Sequence, residues 1–159
     1  MNRVLIAIVA SFISLTSHAV GFSVYQAQGE KVFGLHLSAD HAGKSVANIT
    51  LESLREGVRL SRVSFVGDGS YIHEINGIGE KQVTVSSSET RYYGWCFSVN
   101  GKLPEVSASQ VEVNSANDEI TWFYGYVARV SGGWKAMCQT DQSVMIEVLK
   151  KIKVKHSVF

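Results

Sequence analysis

The sequence predicts an α+β fold, mostly strands with one short helix. Two observations lead there. Short segments rich in aromatic and β-branched residues, several alternating apolar with polar, are cut apart by Gly, Asn-Gly and Asp-Gly strings that suit tight turns. Only one stretch, residues 50–57, combines a capping residue, helical spacing of leucines and a glycine stop.

The chain opens with the three-part layout of an export signal: Arg3, an apolar run from Val4 to Leu15, then Thr16-Ser17-His18-Ala19, with small residues placed for cleavage near Ala19. That run is shorter than the roughly 20 residues a bilayer span needs, so the expectation is cleavage rather than stable membrane insertion. The mature chain is then residues 20–159, a single domain that works secreted or in a periplasm. Without Arg3 it carries 14 basic and 14 acidic groups, a balance that does not favour electrostatic binding to nucleic acid.

Phe22–Ala27 reads as a first strand, turning at Gln28-Gly29 into a second, Lys31–Ser38. After a polar or small stretch, Thr50 caps a helix that stops at Gly57, with Leu51, Leu54 and Val58 on one face and Glu52 in the first turn. A third strand around Val63–Val66 ends at Gly67-Asp68-Gly69, and a fourth, Tyr71–Ile75, runs into Asn76-Gly77. The most aromatic segment, Tyr92–Val99, ends at Asn100-Gly101. Alternation puts Tyr93, Trp95, Phe97 and Val99 on one face and Tyr92, Gly94, Cys96 and Ser98 on the other. Gln110–Val113 reads as a short strand and Ile120–Val127 as a long one. Residues 143–150 fit helix or strand, and the lysines at 151, 153 and 155 alternate as in a charge-protected edge strand.

Two cysteines, Cys96 and Cys138, are expected to pair in an oxidising compartment; a pair without further ligands at metal spacing gives no support to a zinc site. No nucleophile elbow, zinc-protease helix or phosphate-binding loop is present, and no base can be placed beside Ser70, whose Gly67-Asp68-Gly69-Ser70 string suits a turn. Catalysis is therefore not expected. The aromatic residues are the candidate binding chemistry. Part of them must fill the core against the helix. Tyr92 and whichever of Trp122/Tyr124 or Phe123 faces away from the helix could form a stacking platform, with Trp134 beside the Ser131-Gly132-Gly133 loop and His73 as a polar contact.

Four strings in this order and spacing resemble a known family: Thr50-Leu51-Glu52-Ser53-Leu54, Gly69-Ser70-Tyr71-Ile72-His73-Glu74-Ile75-Asn76-Gly77-Ile78, Tyr93-Gly94-Trp95-Cys96-Phe97-Ser98-Val99-Asn100-Gly101-Lys102 and Asn117-Asp118-Glu119-Ile120-Thr121-Trp122. The chain resembles the C-terminal module of the vitamin B12 carriers transcobalamin and intrinsic factor, and the bacterial secreted domains that share it. The resemblance covers residues 22–126 and leaves 127–159 as a C-terminal extension. It implies a β-grasp-like mixed sheet packed on one helix, a binding role, and cobalamin as a candidate ligand, although the large helical barrel that completes the carriers' pocket has no room here.

The resulting expectation is a non-enzymatic module that holds a small molecule or a short ligand segment on an aromatic sheet face and in the Asn100–Pro104 turn. Its contacts are Tyr92, Trp95, Trp122, Tyr124 and Trp134, with His73. The alternative is a protein-interaction or surface-assembly component that docks a partner chain on the same aromatics.

Overall fold

The computed structural model describes residues 19–26, 29–135 and 138–140; the signal-like segment through His18, and the tail from Asp141 on which the helix-or-strand and edge-strand readings fall, lie outside them. In chain order the described elements are β1 (Val20–Tyr25), β2 (Lys31–Leu37), α1 (Val46–Arg59), β3 (Phe65–Gly67), β4 (Ile72–Ile75), β5 (Ile78–Gly79), β6 (Lys81–Thr84), β7 (Glu89–Val99), β8 (Glu119–Val130) and β9 (Gly133–Trp134).

A curled mixed sheet runs in the order β2-β1-β8-β7-β6, with β9 on the far end of β8. Only β1 and β8 are parallel, and nearly the whole described chain lies between them, as a parallel pair requires a crossover. A second, three-stranded antiparallel sheet, β3-β4-β5, stands apart.

Cross-strand partners share a face, so the register fixes which side chains look at α1. Val99 lies opposite Ile120, Phe97 opposite Trp122, Trp95 opposite Tyr124; Phe22 and Val24 of β1 join the same face through Ile120 and Trp122. This face makes the main core with Val46, Ile49 and Leu54 of α1 and Ile72 and Ile75 of β4. The helix therefore covers the Trp122 region, and the small sheet covers Trp95 and Tyr124.

The helix begins four residues before Thr50. Ser45 is its cap, accepting the Asn48 N–H at 3.3 Å, and Thr50 lies buried inside it. Its buried stripe is Val46, Ile49, Thr50, Ser53, Leu54 and Gly57, a helical period running one position off the expected Leu51-Leu54-Val58 line; Val58 is exposed. Small residues face inward because bulky ones come from the other side. A Cβ on Gly57 would sit 2.3 Å from Val63 Cγ1 and 2.8 Å from Phe33 Cζ. Glu52, expected in the first turn, lies mid-helix and holds Lys44 at 3.1 Å and His41 at 3.0 Å.

Both Asn-Gly turns form as expected, with positive φ at Asn76, Gly77, Asn100 and Gly101. Gln110–Val113 is not a strand: it carries one isolated bridge, Glu112 to Ser45, and serves to dock the helix start, where Val46 N–H donates to Val111 C=O at 2.8 Å.

Cys96 and Cys138 form a disulfide with Cα atoms 5.8 Å apart. It lies on the sheet face away from α1, in a second small cluster with Tyr25 and Phe123. That face is also closed to solvent, for Ser23, Ser98 and Thr121 are buried too.

Candidate functional site: a cleft at the open edge of β7

The aromatic strands do not present one open platform. Trp122 is 2 % exposed and its indole N–H donates to Thr50 Oγ1 at 2.8 Å. Trp95 and Tyr124 are buried under the small sheet, the indole of Trp95 donating to Ile78 C=O at 2.8 Å and the hydroxyl of Tyr124 to Gly79 C=O at 2.7 Å. These three face the helix side together. Phe123, which faces away, is buried against Tyr25 and Cys96. Tyr92 and Trp134 meet elsewhere, at the far end of the sheet, with ring centroids 5.2 Å apart and Trp134 62 % exposed. His73 is exposed on β4, edge-on to Tyr71 at 4.8 Å.

What the structure offers instead is a cleft of about 750 Å³ beside β7, in the size range of small-molecule pockets. Its position follows from the strand pairing. β6 pairs with β7 only from Thr90 to Tyr93 and then leaves toward β5, so the outer edge of β7 beyond Gly94 has no strand beside it among the described residues. Trp95 and Phe97 form this wall, and Trp122 lies behind it. The Leu103–Ser107 loop, following the Asn100-Gly101 turn, forms the second wall and brings Leu103, Pro104 and Val106; Ser70 and Tyr71 form the third. Leu103, Val106 and Tyr71 are large apolar side chains left exposed at its rim.

Each wall is braced. Asn100 locks the turn by donating from Nδ2 to Asp118 Oδ1 at 2.8 Å and accepting the Glu119 N–H at 2.9 Å. Asp68 Oδ1 accepts the N–H groups of Ser70 and Tyr71, both at 2.9 Å, and these bonds hold its carboxyl below the usual range. The Tyr71 hydroxyl donates to Glu80, which raises the Tyr71 pKa, and Glu80 also faces His73 Nδ1 at 3.8 Å. The disulfide lies at the cleft through Cys96 and Cys138, beside Lys135.

Of the expected contacts, then, Trp95 and Trp122 line the cleft, and the Asn100–Pro104 turn supplies Leu103 and Pro104. His73 stands behind Tyr71, Tyr124 lies deeper in the core, and Tyr92 and Trp134 lie outside it. Sequence reasoning passed over Tyr71, Phe97 and Val106. A readable signal existed for one of them: Leu103-Pro104 and Val106 are apolar residues in a loop with no strand period to bury them. Among the described residues no three His, Cys, Asp or Glu side chains come close enough to hold a metal ion, and no helix is long and apolar enough to cross a membrane.

No curated protein and no solved structure matches the chain. A family model described as a domain of unknown function, DUF4430, matches residues 56–125, from the second half of α1 into β8. The matched segment contains the β7 edge, the Leu103–Ser107 loop and the Ser70-Tyr71 wall, and stops short of Lys135 and Cys138.

Proposed function

We propose that this chain is an exported, non-enzymatic binding module whose ligand sits in the cleft beside β7. One observation carries the reading: the cleft joins exposed apolar side chains, Tyr71, Leu103 and Val106, to a floor of buried aromatics, and its walls are pinned by side-chain hydrogen bonds. A rigid apolar groove of this kind rewards burial of an apolar ligand without a large ordering cost. The disulfide suits an oxidising compartment, in agreement with the signal-like start of the sequence.

The parallel β1–β8 pair at the centre of the sheet, flanked by a hairpin on each side and crossed by one helix, supports a β-grasp-like description and with it the resemblance to the carrier module. Cobalamin is accordingly the first small molecule to try. Trp95 and Trp122 line the cleft and serve as built-in reporters. Titration of the chain with cobalamin, cobinamide and haem, followed by tryptophan fluorescence and corrected for ligand absorbance, should give saturable quenching for a cleft ligand. Val106→Asp changes an exposed rim residue and should leave the fold intact while weakening that ligand at least tenfold. Quenching that Val106→Asp does not alter would place the site elsewhere, and no saturable response to any of the three would remove tetrapyrroles as ligands.

A further inference from the structure

The long wall of the cleft is a strand edge, and this has chemical content. Val99 exchanges both backbone hydrogen bonds with Lys102, each at 3.0 Å, on the side away from β8, whereas Asn100 N–H donates to Glu119 C=O, toward β8. Backbone groups alternate along a strand, so the N–H and C=O of Trp95 and Phe97 also point away from β8, into the cleft. Among the described residues no backbone group pairs with them: β6 ends its pairing at Tyr93, and Lys102 takes only Val99. The row opposite Trp95 to Ser98 is thus framed at one end by β6 and at the other by the Asn100-Gly101 turn. It is about 14 Å long, the length of roughly four extended residues.

Resting on the reading of this cleft as the binding site, we propose that its ligand is an extended segment of a partner chain, which adds to the sheet as a short strand along Trp95–Ser98. A compact apolar molecule would cover Trp95 and Phe97 and leave four backbone groups buried without partners, each keeping its full desolvation penalty. A peptide backbone satisfies all four. Its side chains then alternate between the Tyr71, Leu103 and Val106 rim and the disulfide side of the sheet, so apolar residues at every second position are the chemistry this groove selects. The Asp68 and Asn100 braces keep the flanking walls in place before the segment arrives.

The test uses the full chain, expressed in an oxidising compartment, and acetylated, amidated pentapeptides of the form Thr-X-Thr-X-Thr with X as Val, Ile, Leu or Phe. Each has a counterpart N-methylated at its three central residues, which keeps the side chains and blocks strand pairing in either orientation. In the free protein the amides of Trp95 and Phe97 should exchange with solvent far faster than those of Cys96 and Ser98, which face β8. At least one peptide should bind saturably and slow exchange at Trp95 and Phe97 at least tenfold. N-methylation and Val106→Asp should each weaken it at least tenfold.

Binding that N-methylation leaves unchanged would overturn strand addition and keep the cleft as the site. Binding that protects Gln82 and Thr84, whose amides point away from β7 on the outer edge of β6, rather than Trp95 would overturn the cleft reading itself. No binding by any peptide at millimolar concentration, or a concentration-dependent dimer that protects Trp95 and Phe97 without peptide, would also overturn the proposal; the dimer would assign the edge to a second copy of the chain.

Discussion

The indole of Trp122 donates to the hydroxyl of Thr50 at 2.8 Å, joining the middle of the sheet to the middle of α1 where neither residue meets water. Both groups have been desolvated, and each is the partner that offsets the other's cost. Thr50→Val keeps the shape and removes the acceptor, leaving a buried N–H without a partner. The expected loss is about 1–3 kcal/mol, larger than the mean net value of a hydrogen bond because the orphaned donor stays buried. Urea denaturation should show a lower midpoint with an unchanged slope; an unchanged midpoint would mean that the indole finds another acceptor.

Gly57 sets two effects of opposite sign against each other. Alanine in a helix interior is favoured over glycine by about 1 kcal/mol. Here the added methyl would meet Val63 Cγ1 at 2.3 Å and Phe33 Cζ at 2.8 Å, both in buried side chains that cannot swing into solvent. Overpacking of this kind costs about 1–3 kcal/mol, so Gly57→Ala should destabilise the protein despite its better helix propensity. A variant more stable than the wild type would show that Val63 and Phe33 repack freely.

The same contrast between local and distant causes separates what could be read from the sequence. Asn76-Gly77 and Asn100-Gly101 were legible because a tight turn's need for positive φ is met within the dipeptide. The start of α1 is hidden in a run that reads as polar or small. Val46 and Ile49 carry its apolar face, but Ser45 and Asn48 mask the period, and the helix is docked by Val111 and Ala108 from sixty residues away. β6 shows no alternation because both its faces are exposed. Which of Trp122 and Phe123 faces the helix depends on the register with β1 and β7, information that no single strand contains. The cleft is harder still to foresee, since it exists only because β6 leaves β7 at Tyr93.

Acid should loosen the cleft before it unfolds the domain. The Tyr71 and Ser70 N–H groups hold the Asp68 carboxyl below its usual 3.8. A carboxyl depressed in the folded state adds stability that is complete above its unfolded pKa and is lost as pH falls through the lower folded value. Asp68 is fully exposed, so the effect is local rather than global. The Ser70 and Tyr71 amide resonances should titrate together with a midpoint below 3.8. Asp68→Asn keeps an acceptor oxygen and has no titration, so in that variant the acid shift of both amides should vanish. Shifts that persist in Asp68→Asn would assign the transition to another group.

The disulfide has a double consequence because of where it lies. It spans 42 residues from Cys96, in the strand that forms the long wall of the cleft, to Cys138, in the segment that returns past β9. Among the described residues, that segment is tied to the sheet, apart from the disulfide, by one backbone pair, in which Gln139 and Tyr126 exchange hydrogen bonds at 2.7 Å. In the chain-entropy model, closing a loop of this length contributes about 4 kcal/mol, a large share of the stability of a domain of this size. Reduction, or the Cys96→Ser/Cys138→Ser double variant, should therefore lower the denaturation midpoint markedly. It should also free the cleft side that carries Lys135 and Cys138. Hydrogen exchange separates the two effects. At denaturant concentrations where both forms remain folded, Gln139 and Tyr126 amides should lose protection in the reduced form while Ile120 and Trp122, in the helix-packed core, keep theirs. Equal loss at all four would show that the disulfide supports the whole domain and has no special hold on the cleft.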